Sequence, residues 1–499
     1  MTSTALNRQR RSRELEKLTG PVDLLVIGGG VTGTGIALDA ASRGLSVVLA
    51  EKQDLAHGTS RWSSKLVHGG LRYLASGQVS VAYESAAERS ILMRYTAPHL
   101  TRALPQVVPL LPNVNAATAG LIRTGYLTGD LLRTAAATPS SLLPRSRRLS
   151  RTEVRHYAPT VRADGLRGGL VFWDGQLVDD ARLVVALART AAGFGARILT
   201  RCHASQVTGS GAVLTDELTG DRYTVDARMV VNAAGVWAGQ VAPNVHLRPS
   251  RGSHLVFPRD AFGGLTSGLT VPVPGQRNRF VFALPAEERV YVGLTDEETF
   301  GDAPDEPRPT ESEVDFLIET INTVLARPVS RDDLLGSFAG LRPLLSTGAK
   351  RTADLSRRHA VLTAPDGLVT VVGGKLTTYR RMAESAVDAA LKHAGRTARR
   401  CRTRRIRLVG AADHRRLASL PQPARLIRRY GVEARDVVGD GSGAEPVASG
   451  MATTMAEFRF AVTHELALTV DDLLDRRTRI GLSASDRERA EPAARAALG

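Results

Sequence analysis

Three glycines, Gly28, Gly30 and Gly33, stand in G-x-G-x-x-G spacing directly after a short apolar run, residues 22–27. This feature constrains the fold more than any other in the chain. The run reads as a buried parallel strand. Residues 35–41 read as a small-residue helix stopped at Gly44, and residues 47–50 as a second strand ending in Glu51. Strand, glycine turn, helix and strand in this order form a dinucleotide-binding unit. The glycines permit the tight turn, the close approach of a pyrophosphate and tight helix–strand packing. The helix N-terminus offers unpaired N–H groups and the positive end of its dipole to phosphate. Glu51 suits the two hydroxyls of an adenosine ribose, and an acid at this position argues against NADP.

NAD and FAD share this fingerprint, so the choice rests on other segments. Residues 58–74, GTSRWSSKLVHGGLRYL, are dense in Gly, Ser and basic residues. A plain NAD site has no use for such a loop, whereas an extended FAD must be enclosed along its diphosphate and ribityl chain. Two later strand–glycine turns point the same way: residues 227–235 end in Gly235, and residues 368–374 end in Gly373 and Gly374. Three such turns suggest one ligand touched from distant parts of the chain. Thr377 and Thr378 read as helix caps after the last turn.

Composition excludes other classes. The chain has 499 residues, 43% hydrophobic and 23% charged, which is globular and long enough for two to four domains. Cys202 and Cys401 are the only cysteines, with no Cys/His cluster, so neither a disulfide scaffold nor a metal site is expected, and a reducing compartment is. The charged N-terminus does not read as a signal peptide, and no uncharged apolar run suits a membrane-spanning helix. The net charge is +16, yet only six of 66 basic residues are lysines. That skew reads as compositional bias rather than a nucleic-acid surface, because no recognition motif accompanies it. In a chain that writes arginine by default, Lys65 and Lys375 inside Gly-rich segments draw attention.

Further along, residues 197–207, 212–216 and 223–225 read as a β-meander, and Asp179-Asp180 as the start of a helix. Residues 246–300 are strand-rich, and residues 311–325 form an acidic-started helix. Residues 1–20 read as a solvated basic tail. Residues 396–499 read as an Arg-rich helical domain, with Thr469 and Asp472 as a capping box. The domain between, 21–395, divides into cofactor-binding parts at 21–75, 160–245 and 345–395 and cap parts at 76–159 and 246–344.

With these segments together, the chain resembles the FAD-dependent glycerol-3-phosphate dehydrogenases. The resemblance rests on LLVIGGGVTGTGIALDAASRGLSVVLAEK, SSKLVHGGLRYL, GSH at 252–254, FAGLRPL and VVGGKLTTYR. It covers residues 22–390 strongly and the C-terminal region more loosely. It implies an α/β fold: a Rossmann-like FAD-binding domain, an antiparallel substrate-covering sheet and a C-terminal helical domain. It further implies oxidation of sn-glycerol 3-phosphate to dihydroxyacetone phosphate, with electrons passing through FAD to a quinone, and a homodimer. Carried over by position, Ser63, Ser64, Lys65, Gly373, Gly374 and Lys375 border the flavin. Arg72, Tyr73, His254, Arg342 and Lys375 fall in the substrate site.

The chemistry suits these residue types. Arginine binds phosphate in a bidentate fork and lysine as a point charge. Loss of the C2 hydroxyl proton calls for a base, with His254 the first candidate and His68 the second. The apolar and basic residues between 100 and 148 suggest contact with an anionic membrane on its cytoplasmic face. They comprise Leu110, Leu111, Leu121, Ile122, Tyr126, Leu127, Leu131 and Leu132 with Arg123, Arg133, Arg145, Arg147 and Arg148. An oxygen-using oxidase of the same fold and a non-enzymatic nucleotide-binding protein are the alternatives.

Overall fold

The computed structural model describes residues 2–71, 73, 77–276, 279–346 and 358–499. A six-stranded sheet runs in the order His359–Thr363, Val369–Gly373, Val230–Asn232, Leu24–Ile27, Val47–Ala50 and Arg197–Leu199. All pairings are parallel except that of the edge strand His359–Thr363. Leu24–Ile27 and Val47–Ala50 are buried along their whole length, which is why they read as continuous apolar runs.

The helix Val31–Ser42 packs between the helices Asp180–Gly193 and Tyr379–His393. Only Thr32 in it escapes full burial. Its small residues make this possible: a Cβ at Gly35 would lie 3.0 Å from the Tyr379 ring. A helix enclosed on every side is apolar or small all round.

The 197–207 segment is not one strand. Arg201 takes a left-handed conformation, φ 52°, and splits it. Arg197–Leu199 joins the parallel sheet, while Cys202–Thr208, Gly211–Asp216 and Arg222–Asp226 form the three-stranded meander. The guanidinium of Arg201 reaches Gln53 and Asp472 from that corner. Thr377 and Thr378 do not cap the following helix either. They lie in a 3-10 turn, Leu376–Thr378, and the Thr378 hydroxyl donates to the Lys375 carbonyl.

A ten-stranded sheet covers the other side of the cofactor unit. It is mixed, not purely antiparallel: Gly268–Pro272 runs parallel to Thr101–Pro109. The helix Glu311–Asn322, capped by Thr310 and Glu313, packs on its back through Val314, Leu317 and Ile321.

Residues 2–20 are not the solvated tail expected for residues 1–20. Asn7 caps the helix Arg8–Glu16, Leu6 and Leu15 are buried, and Arg11 makes a bidentate pair with Asp216 at 2.5 and 3.0 Å. Arg11 is buried here because a buried carboxylate meets it.

The C-terminal unit has its own core around Phe458, Ala461, Leu473, Leu474 and Ala490. Thr469 and Asp472 form the expected reciprocal cap, on a π-helical turn, Asp472–Arg477. The unit is joined to the rest through Glu465, which accepts from Arg182 at 2.6 and 3.1 Å. Burial alone would raise the Glu465 carboxyl, but Arg182 and Arg189 hold it down to about 2, against 4.5 for a free group. A depressed carboxylate stabilises the fold above its unfolded value, and that stabilisation is lost as pH falls from 4.5 towards 2. By linkage it amounts to roughly 3 kcal/mol. Glu465→Gln should therefore lose about that much stability at neutral pH in chemical denaturation. The gap to wild type should close between pH 4.5 and 2; a gap independent of pH would contradict the assignment.

Candidate active site

A cavity of about 2130 Å³ opens between the glycine turns of the parallel sheet and the inner face of the ten-stranded sheet. One end is built by the nucleotide fingerprint. Gly28 has φ 109°, and a Cβ there would sit 2.6 Å from the Ala233 carbonyl oxygen. A Cβ at Gly33 would lie 1.9 Å from the Gly28 carbonyl oxygen, so helix and strand meet without a side chain between them. Gly30 is the N-cap of the helix and lines the cavity. Ser60 accepts the Val31 N–H at 2.9 Å. Glu51 lines the cavity and accepts from the Gly29 and Gln53 amides at 2.6 and 2.7 Å. Desolvation raises the carboxyl against those two hydrogen bonds.

The two later turns arrive at the same cavity. Gly235, Gly373 and Gly374, at φ 61°, 75° and 77°, all line it. Trp62 Nε1 and His57 Nε2 are buried N atoms of cavity-lining residues with no hydrogen-bond partner among the described residues. A side-chain-free cradle at a helix N-terminus, an acid at the next strand's end and unused nitrogen atoms deeper in fit an extended FAD.

The lining also carries polar and cationic side chains. Tyr73, His68, Lys375, Arg342 and His254 are among them. Lys375 Nζ stands 3.6 Å above the Tyr73 ring and donates to Ser85 Oγ at 2.7 Å. His68 stacks beside Tyr73, ring centres 6.5 Å apart. Arg342 is bonded to Ser250 Oγ at 3.1 Å and Asp296 at 3.2 Å. Arg72 lies outside the described residues.

Three glycines that were not among the candidate site residues make room for side chains of the cavity wall. A Cβ at Gly252 would lie 2.5 Å from Arg342 Nη2, at Gly293 2.4 Å from the His254 ring, and at Gly340 2.8 Å from Trp62 Cβ. The Gly in GSH thus serves Arg342 across the strand pair Ser250–Pro258 and Gly336–Arg342.

Two candidates sit differently from expectation. Lys65 does not line the cavity. Its side chain is buried, with Nζ bonded to Asp180 at 3.0 Å and to the Arg61 and Ser63 carbonyls. Burial lowers its ammonium to about 8 despite Asp180. A buried ammonium needs an anion, and Asp180 turns it away from the cavity. Ser63 and Ser64 do line the cavity, and Ser63 Oγ donates to the same Asp180.

His254 reaches the cavity wall but is almost fully enclosed. Its ring stacks on Phe338, centres 4.7 Å apart, and Nε2 shares a 2.9 Å hydrogen bond with Ser64 Oγ. Burial, with Lys65 and Arg342 nearby, pushes its imidazolium down to about 3. Such a ring stays neutral and is a weak proton acceptor. Trp62, Trp237, Gln106, Asp174 and Asp296 also line the cavity. Of these only Trp62 had a visible cue, a large aromatic ring inside a Gly/Ser loop.

Comparison with known proteins agrees with this geometry. Residues 23–380 match the family model described as FAD dependent oxidoreductase. Residues 401–498 match the C-terminal domain of alpha-glycerophosphate oxidase. Glycerol-3-phosphate dehydrogenase 1 of Mycobacterium tuberculosis is 55% identical, covering 98% of this chain and 97% of its own. The aerobic glycerol-3-phosphate dehydrogenase of Bacillus subtilis is 38% identical over 77% of this chain and 69% of its own. The crystal structure of the glycerol-3-phosphate dehydrogenase from Bacillus halodurans, complexed with FAD, superposes with a TM-score of 0.74 at 28% identity, over 97% of this chain and 92% of that one. The chain therefore belongs to the FAD-dependent oxidoreductase family, in the branch of its glycerol-3-phosphate dehydrogenase homologues, and FAD is its cofactor.

Proposed function

We propose that the protein oxidises sn-glycerol 3-phosphate to dihydroxyacetone phosphate and passes the electrons to a membrane quinone. The observation that carries this reading is that two cations, Arg342 and Lys375, are among the residues lining the cavity, as are His68 and Tyr73. The reacting carbinol is also present in glycerol, so only the phosphate distinguishes the two strongly. Arg342 offers a planar fork to that phosphate, and Asp296 and Ser250 hold its orientation. Lys375, fixed over Tyr73 and tied to Ser85, adds a point charge.

When bound, FAD supplies the hydride acceptor for C2. The protein's part is to take the C2 hydroxyl proton as the hydride leaves. His68 fits that task better than His254, because it is half-exposed in the cavity beside Tyr73. His254, neutral and bonded to Ser64, orients its neighbours instead.

A site built around an anion leaves its cations unpaired when the anion is missing, which gives the discrimination. Arg342→Ala should lower kcat/KM for glycerol 3-phosphate about 10–150-fold while the trace rate on glycerol changes little. Arg342→Lys should recover part of the loss. Equal losses on both substrates would remove Arg342 from phosphate recognition.

The base assignment separates by pH. A general base must be deprotonated to act, so kcat/KM falls on the acid side. His68→Gln should lose about 10²–10⁴-fold in kcat and abolish that acid limb. His254→Gln should keep the limb, since a group titrating near 3 contributes none of it around neutrality. An acid limb lost only in His254→Gln would reverse the roles.

The acceptor reading rests on apolar residues of the cavity lining, Leu121, Ile122, Tyr126, Phe172, Val273 and Phe280. Among the described residues no helix is long and apolar enough to cross a membrane. The helix Ala116–Ala135 instead divides its apolar residues. Ile122 and Tyr126 pack inward, while Leu121 at 62%, Leu127 and Leu131 at 71% are exposed. Val79 and Tyr83 of the neighbouring helix, Val79–Ile91, are exposed as well. Of the basic residues expected to meet lipid, Arg133 is buried and bonds the Thr138 carbonyl, and Arg147 pairs with Glu153. This geometry suits shallow insertion of exposed leucines at the lipid interface. The holoenzyme should float with anionic vesicles, and Leu121→Ser/Leu131→Ser should not. Failure of the wild type to float at either low or high salt would refute the membrane contact.

A further inference from the structure

Among the described residues, none of those lining the cavity lies beyond Met382. The C-terminal unit therefore contributes no described residue to the cavity lining. It nevertheless grips the chain segment that forms the cradle's wall. Asp54 is buried and receives Arg477 at 2.8 and 2.9 Å and Arg476 at 2.6 Å. Seven residues further along, the Arg61 carbonyl accepts from Arg479 Nη2 at 2.8 Å. The same guanidinium lies 4.8 Å from the Trp62 ring centre, with that of Arg61 at 4.1 Å. Trp62 lines the cavity, stacks on Phe338, and is followed by Ser63 and Ser64.

Arg479 carries a second sign of a demand beyond folding. It is nearly fully buried, and its backbone is left-handed, φ 63°, a conformation that glycine adopts without strain. An arginine held there is selected for its side chain. Its other Nη donates to the Asp475 carbonyl, which fixes the guanidinium plane against the indole.

We infer that Arg479 is a positioning residue of the flavin site, through which the C-terminal unit sets the cradle segment 61–64 by holding the Arg61 carbonyl and the Trp62 ring. This rests on FAD occupying the cavity, which FAD binding by the wild-type protein tests separately.

The test compares three holoenzyme variants by FAD dissociation on dilution, flavin absorption spectrum, kcat and KM at saturating FAD, and melting temperature. Arg479→Gly removes the side chain while relaxing the left-handed backbone. It should raise the FAD dissociation constant about 10-fold or more, shift the flavin maxima and lower kcat. Arg479→Lys keeps the charge without the planar fork and should fall between it and wild type. Phe458→Leu loosens the C-terminal core away from the segment. It should melt earlier yet keep wild-type FAD affinity and spectrum. A wild-type dissociation constant and spectrum in Arg479→Gly would overturn the inference. If that variant does not fold, the same result in Arg479→Lys overturns it. So would a loss of FAD in Phe458→Leu equal to that of the Arg479 variants, because general destabilisation would then suffice.

Discussion

The contact between Gly33 and the carbonyl of Gly28 is the constraint on which the rest of the site depends. A single added carbon at position 33 would lie 1.9 Å from that oxygen. Without it, the helix Val31–Ser42 lies against the strand Leu24–Ile27 and presents its first turn to the cavity. The placement of the helix N-terminus and the backbone approach at Gly30 follow from that single close approach. The turns at Gly235 and Gly373, after parallel strands of the same sheet, line the same cavity.

The second organising element is arginine used inside the molecule. Arg11, Arg182, Arg189, Arg429 and Arg477 are all buried. Desolvating a guanidinium is unfavourable by several kcal/mol unless a carboxylate meets it. Asp216, Glu465, Glu433, Glu457 and Asp54 do so. All but Arg429–Glu457, which lies within the C-terminal unit, attach the N-terminal helix or the C-terminal unit to the cofactor unit. They also account for part of an arginine content that composition alone presents as surface charge. Truncating one partner leaves the other charged and buried, so the joints between units are sensitive to single substitutions.

The sequence made the cofactor unit legible because its requirements are local. Gly28, Gly30, Gly33 and Glu51 each answer a demand of backbone approach or strand end within about thirty residues. The strand–glycine turns at 235 and 373 were legible for the same reason. What was not legible depends on partners far along the chain. Lys65 turns from the cavity because Asp180 waits behind it. His254 loses its basicity because Phe338 and the ten-stranded sheet enclose it. Gly252, Gly293 and Gly340 matter only for the side chains that face them across the sheet. The basic start of the chain read as a tail because nothing nearby announces Asp216.

The central proposal is that the cations lining the cavity select a phosphorylated carbinol for oxidation. The most direct measurement is anaerobic mixing of the purified holoenzyme with sn-glycerol 3-phosphate, and separately with glycerol, while following the flavin absorption band. The account predicts rapid bleaching with the phosphate ester and an oxidised spectrum with glycerol at equal concentration. A flavin that stays oxidised with sn-glycerol 3-phosphate, or bleaches equally with both, would contradict it.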